Sequence, residues 1–102
     1  MRETTSSLHG QIVEEDIELT LVELCRASGA SEQQLTLWVA EGALDPLERH
    51  NDVPTGWRFG GSSLRRARIA VRLSRDLDIE PPGVALALDL LDQIERLRAR
   101  LR

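Results

Sequence analysis

The side chains of this chain that could do chemistry are few and widely spaced. His9 and His50 are candidate general bases, yet neither has a nucleophile at a recognisable spacing. His50 stands beside Asn51 and Asp52 in a loop-like stretch. Cys25 is the single cysteine, so there is no internal disulfide framework and no multi-cysteine metal site. It falls on the apolar face of a helix, where a thiol is an inert core group. Metal ligands are not clustered. The expectation is a protein with no catalytic residues, no metal and no cofactor, and therefore not an enzyme.

The charged side chains are more informative. All 13 basic residues are Arg and none is Lys, which reads first as codon bias. Residues 1–48 hold two Arg, Arg2 and Arg26, and ten acids. Residues 49–102 hold eleven Arg and seven acids. The net charge of −4 and a pI of about 5.1 argue against general nucleic-acid affinity. Arg65, Arg66, Arg68, Arg72 and Arg75 form the strongest basic cluster. Such a cluster is usually a solvated face with acid partners such as Asp76, and less often a contact to a nucleic-acid backbone. Glu14, Glu15, Asp16, Glu18, Glu23, Glu32 and Glu41 make the front half acidic, a field that would steer a basic protein partner.

These residues must be positioned by a small set of elements. With 102 residues and a 41% hydrophobic fraction, the chain can bury one modest core. Residues 1–16 read as a flexible acidic arm. Ile12, Val13 and Ile17 could add a short strand to a sheet edge. Residues 17–80 read as a winged helix-turn-helix with a third helix, and 81–102 as a C-terminal helix. Thr20 with Glu23, and Ser31 with Gln34, have the spacing of capping boxes. Gly29 supplies a left-handed turn between the two helices, and Gly42 ends the second. Leu21, Leu24 and Cys25 share a face of the first.

Pro46, Asn51-Asp52, Pro54 and Gly56 mark a loop, within which Trp57-Arg58-Phe59 is strand-like. A short wing fits here, with Leu44 pairing to it, Trp57 and Phe59 inward and Arg58 in solvent. Ser62 or Ser63 would cap a third helix over 64–77, with Leu64, Ala67, Val71 and Leu77 as its apolar set. Pro81-Pro82 breaks it and opens the fourth helix. In that helix Ala87, Leu90, Ile94, Leu97 and Leu101 step by three and four, a seam of about two heptads that could pair as a short coiled coil. No apolar run reaches the roughly 20 residues of a membrane span. The N-terminal residues are unlike a signal peptide. A mainly α, soluble, cytoplasmic protein is expected.

The helix that should read DNA lacks basic residues altogether. It runs Ser31-Glu32-Gln33-Gln34-Leu35-Thr36-Leu37-Trp38-Val39-Ala40-Glu41, with an acid near each end. DNA binding depends mainly on Lys or Arg neutralising several phosphates. Leu37 and Trp38 are candidate apolar anchors for a protein partner if they are exposed. Leu35 and Trp38 lie three apart on one stripe, which makes core packing the commoner fate of Trp38.

The stretch 20–44, followed by Gly56-Trp57-Arg58-Phe59, resembles the MerR-type winged helix. In regulators of that kind an Arg-Tyr pair follows the first Leu of the second helix. Here the run is Leu35-Thr36-Leu37-Trp38, and only Arg58 remains of the basic set. A more extensive likeness runs from Thr20-x-x-Glu23-Leu24-Cys25 through Gly29-x-Ser31-Glu32, Glu41-Gly42 and Trp57-Arg58-Phe59. It continues through Ala70-Val71-Arg72-Leu73, Asp76-Leu77-Asp78-Ile79, Pro82-Gly83-Val84-Ala85-Leu86-Ala87-Leu88 and Leu91-Asp92-Gln93-Ile94-Glu95-Arg96-Leu97. In this order these positions resemble the chaperone modulator family, CbpM. The segment before Ile17 is longer, and that after Leu101 shorter, than the family leads one to expect.

The resemblance implies a protein that binds the J-domain of the DnaJ-like co-chaperone CbpA. It would thereby block stimulation of the Hsp70 ATPase and CbpA's role at DNA. The partner surface would include Glu14, Glu15, Asp16, Glu18, Glu23, Glu32, Leu37, Trp38 and Glu41, with no direct nucleic-acid or membrane contact. A homodimer seam would use Leu90, Ile94, Leu97 and Leu101. The competing reading is a small MerR-like DNA-binding transcriptional regulator.

Overall fold

The computed structural model describes residues 17–102. The expected flexible arm, and the edge strand expected from Ile12 and Val13, fall on residues outside that range. The described elements are β1 (Leu19–Thr20), α1 (Leu21–Ser28), α2 (Glu32–Ala40), β2 (Glu48–Arg49), β3 (Trp57–Phe59), α3 (Gly61–Leu77) and α4 (Pro81–Arg100). Two short 3-10 turns, His50–Asp52 and Pro54–Gly56, connect β2 to β3. The chain is mainly α, as expected.

Local chemistry sets the helix ends. Thr20 Oγ1 accepts from the Glu23 amide at 3.2 Å, and Glu23 Oε1 accepts from the Thr20 amide at 2.9 Å. Ser31 and Gln34 repeat the arrangement, at 3.0 Å in each direction. Both boxes satisfy amides that the helix cannot. Gly29 (φ 86°) and Gly42 (φ 84°) take the left-handed turns that follow α1 and α2. At the end of α3 that role falls to Asp78 (φ 57°), so the helix stops three residues before Pro81.

Neither Ser62 nor Ser63 caps α3. The helix begins at Gly61 with Gly60 as its cap, and Ser63 is buried in the first turn. The Cβ-free Gly60 lets Leu47 approach, since a methyl group there would lie 3.2 Å from Leu47 Cδ1.

The sheet has the order β1-β3-β2 and is antiparallel throughout. Leu19 faces Phe59, Thr20 faces Arg58, Glu48 faces Arg58 and Arg49 faces Trp57. Leu44 does not join it. Leu44 is buried, and its amide donates to Trp38 O at 3.3 Å in the turn after α2. Pairing begins three residues later, where the Leu47 amide donates to Arg58 O at 2.7 Å. Trp57 and Phe59 point inward and meet edge to face, 6.1 Å between centroids.

Leu24, Leu35, Trp38, Leu44, Phe59, Val84 and Leu88 are the largest fully buried side chains. They form one core to which every helix contributes. From α4 only Val84 and Leu88, one turn apart, are buried in it. Leu77 is mostly exposed, because the last turn of α3 runs past the edge of this core.

The two neighbours on α2 should therefore behave oppositely. Trp38→Ala should cost about 3–5 kcal/mol, the range for truncating a buried aromatic. Leu37→Ala should stay within about 0.5 kcal/mol. Urea denaturation of the two variants checks the inward–outward assignment. Equal losses would contradict it.

Candidate partner-binding surface

The helical repeat sorts α2 into two faces. Leu35, Trp38 and Val39 turn inward. Gln33, Leu37 and Ala40 turn outward, and Leu37 is 45% exposed. Trp38 is 1% exposed, so it fails the condition for a partner anchor and belongs to the core. Its size and its register with Leu35 and Val39 put it there.

Glu32 sits in the first turn of α2, where the helix dipole favours an acid. Glu41 caps the C-terminal end, where the dipole favours a base, and the last turn holds none. Both are exposed. The Thr36 hydroxyl donates back to Glu32 O at 2.6 Å, so the outward face offers Leu37 and Ala40 between polar ends. Glu18 is exposed beside β1. Glu23 is exposed too, although one of its oxygens is held by the capping box. Glu14, Glu15 and Asp16 lie outside the described residues.

A DNA-reading face would need basic side chains here. Between Arg26 and Arg49 there is none. The two arginines of the wing are engaged within it. Arg58 Nη1 donates to Trp57 O at 2.9 Å, which folds the guanidinium back onto its own strand. Arg49 lies 5.7 Å over the Trp57 ring and 3.9 Å from Asp45. Arg58 is half-buried rather than fully in solvent.

On α3, Arg68 and Arg72 are exposed. The terminal nitrogen of Arg75 would lie 3.8 Å from a Cβ added at Gly29, beside the C-terminal end of α1. Arg66 does something the sequence reading missed. Its Nε donates to Ala43 O at 2.9 Å and its Nη1 to Asp92 Oδ2 at 2.6 Å, while Nη2 lies 3.7 Å from Asp89. One side chain thus ties α3 to α4 and to the turn after α2. Those partners are 23 and 26 residues away, so no local pattern announces them.

The seam residues of α4 are uncovered. Leu90, Ile94, Leu97 and Leu101 range from 44% to 87% exposed, and Leu86 and Leu91 extend the apolar surface. Ala87 is half-buried.

His50 Nε2 lies 2.7 Å from Glu48 Oε1 on the exposed wing. Among the described residues no group of three or more His, Cys, Asp or Glu could hold a metal. No described helix is long and apolar enough to cross a membrane.

A three-stranded wing packed on a helix-turn-helix with a long following helix defines a class, and the family model described as "MerR HTH family regulatory protein" matches residues 19–102. The curated relatives are more particular. A chaperone modulatory protein CbpM from Coxiella burnetii is 38% identical over 99 residues, covering 97% of this chain and 91% of its own length. One from Salmonella paratyphi A is 34% identical over 86 residues, covering 84% and 82%. One from Salmonella arizonae is 33% identical, with the same coverage. The chain belongs to the CbpM family of chaperone modulatory proteins, built on the MerR-type helix-turn-helix. These relatives are named as modulatory proteins, not enzymes. The Coxiella alignment takes in most of the segment before Ile17, against the expectation that this segment is an extension of the family pattern.

Burial, and secondarily the nearby Glu32 carboxylate, push the Cys25 thiol above its ordinary 9.0. The unfolded chain then releases this proton first. The contribution to stability is complete below the unfolded value and is lost as pH rises through the folded one. Alkylation by iodoacetamide at pH 8 should accordingly be slower in the folded chain than in urea. Equal rates would show a reactive thiol instead of a core group.

Proposed function

We propose that this chain is a non-enzymatic regulator that binds the J-domain of a CbpA/DnaJ-type co-chaperone and keeps it from stimulating Hsp70. Family membership supports the coarser part, a chaperone modulatory role. The observation that carries the rest is the outward face of α2. An exposed Leu37 stands between Glu32 and Glu41 where a DNA-binding relative of this fold would present basic groups. A J-domain offers a basic helix to Hsp70. An acidic face with one apolar anchor competes for that helix, the charges setting speed and selectivity and the anchor slowing dissociation. Glu18 and Glu23 widen the acidic face, and Glu14, Glu15 and Asp16 add to the field that steers the encounter.

We further propose that Leu90, Ile94, Leu97 and Leu101 pair α4 with a second copy, because an apolar stripe of this length is otherwise left in water. The competing DNA-binding reading has the exposed Arg68 and Arg72 in its favour. Two or three arginines on the side of a helix give weak, salt-sensitive contact and no base readout.

Calorimetric titration into an isolated CbpA-type J-domain at two salt concentrations tests the main reading. Saturable binding that weakens with salt is expected, and Leu37→Glu should weaken it by about tenfold or more, the loss of one anchor. No heat at high concentration, together with a salt-steep shift of random duplex DNA, would return the chain to the DNA-binding class. Truncation after Asp89 should halve the mass seen on sizing. An unchanged mass would remove α4 as the dimer seam.

A further inference from the structure

Arg68 and Arg72 stand four residues apart on α3, with Arg75 three further on, and all three are exposed. Among the described residues neither Arg68 nor Arg72 meets a carboxylate, and Asp76, four residues after Arg72, does not reach it. Like charges at this spacing oppose a helix. α3 therefore carries a repulsion that an acidic surface would relieve.

Beside Arg72 lies a groove of about 390 Å³ between α3 and α4, with Ile69, Leu73, Leu77 and Leu91 as its apolar lining. Leu77 and Leu91 are exposed in it. The surface asks for an apolar side chain with acids beside it. The apolar lining and the net charge of −4 both argue against a phosphate backbone as occupant.

The outward face of α2 has the complementary make-up. Leu37 is exposed between Glu32 and Glu41. Glu41 stands at the negative end of its helix with no base in the last turn, so it too carries an unrelieved charge. The two acids are about 14 Å apart along the axis of α2, and Arg68 and Arg75 about 10 Å apart along α3, a difference that arginine side chains span. α2 and α3 are both anchored by their inner faces in one core, so these outward surfaces cannot meet within one molecule.

We propose that the α2 face of one copy docks on the α3/α4 groove of a second copy, Leu37 among Ile69, Leu73 and Leu77, and the acids toward Arg68 and Arg72. The contact joins unlike faces, so it closes a dimer only when it is reciprocal. It is separate from pairing through Leu90, Ile94, Leu97 and Leu101. It also hides Leu37, so the row of arginines acts as the chain's own competitor for the face that would take a basic helix of the J-domain. That last step rests on the proposed function, whereas the contact between copies does not.

A charge swap in the full chain tests the contact by sedimentation at low and high salt. One variant carries Glu32→Arg and Glu41→Arg, the other Arg68→Glu and Arg72→Glu. Each alone should lose the salt-sensitive part of self-association, by about tenfold or more. An equimolar mixture should regain it, because every cross-contact is then again between opposite charges. Variants that associate as the unaltered chain does, or a mixture that does not recover, would overturn the proposal. A nitroxide at Gln33→Cys in a Cys25→Ser chain, mixed with isotope-labelled chain, locates the contact. Broadening of the Ile69 and Leu73 methyl signals is expected, and broadening confined to Leu90 and Ile94 would contradict it. An isolated CbpA-type J-domain should dissolve the association as it reaches equivalence. A J-domain that binds and leaves the association intact would overturn the masking. One that does not bind at all would contradict the proposed function, and the charge swap would still decide the contact.

Discussion

The guanidinium of Arg66 is the point on which the arrangement of helices depends. It offers a planar fork of donors, which here are directed at Ala43 O, Asp92 and Asp89. The turn after α2, the body of α3 and the middle of α4 are thereby held in one geometry. The bond to Asp92 is a short charge-assisted contact in a part-buried setting, where such bonds exceed neutral ones in strength. The latch also lies just past Leu88, the last buried residue of α4. Apolar contact fixes the first half of that helix, and the latch fixes its direction. Everything beyond Asp92 projects from a defined platform with its leucines uncovered.

A second consequence concerns α2. A nine-residue helix that must bury Leu35, Trp38 and Val39 has only one face left for recognition. On that face the chain presents Leu37 flanked by acids. The scaffold is that of a DNA-reading protein, but the energetics of DNA binding come mostly from phosphate neutralisation. Here α2 carries no basic group, and Arg49 and Arg58 fold back onto the wing, so these two elements add little to that term while the fold is kept. Under the proposed function, a groove-reading shape with an acid at each end of α2 would meet a basic helix of another protein.

What the sequence made legible was local. Capping boxes, left-handed glycines and proline breaks are set within four or five residues, and Thr20, Ser31, Gly29 and Gly42 take the positions their spacing implied. The inward alternation of Trp57 and Phe59 was readable for the same reason. The misses were tertiary. Leu44 is strand-like in composition but is drawn into the core by the turn that follows Trp38. Ser62 and Ser63 are good capping residues, yet the sheet delivers the chain to α3 two residues earlier. Leu77 continues the apolar period of α3, but the core ends before it. Arg66 looked like one member of a basic cluster because its carboxylates lie a whole helix away. The candidate surface was legible in its charges and in Leu37. The fate of Trp38 had to wait for the packing.

The measurement that bears most directly on the central claim is the steady-state ATPase of Hsp70 stimulated by a CbpA-type co-chaperone, with this chain added in increasing amounts. Competition for the J-domain predicts a fall from the stimulated rate to the unstimulated one as the chain reaches equivalence with the co-chaperone. Restoration by excess Hsp70 is expected as well, because the two compete for one helix. A stimulated rate that stays constant through a large excess of the chain would contradict the account.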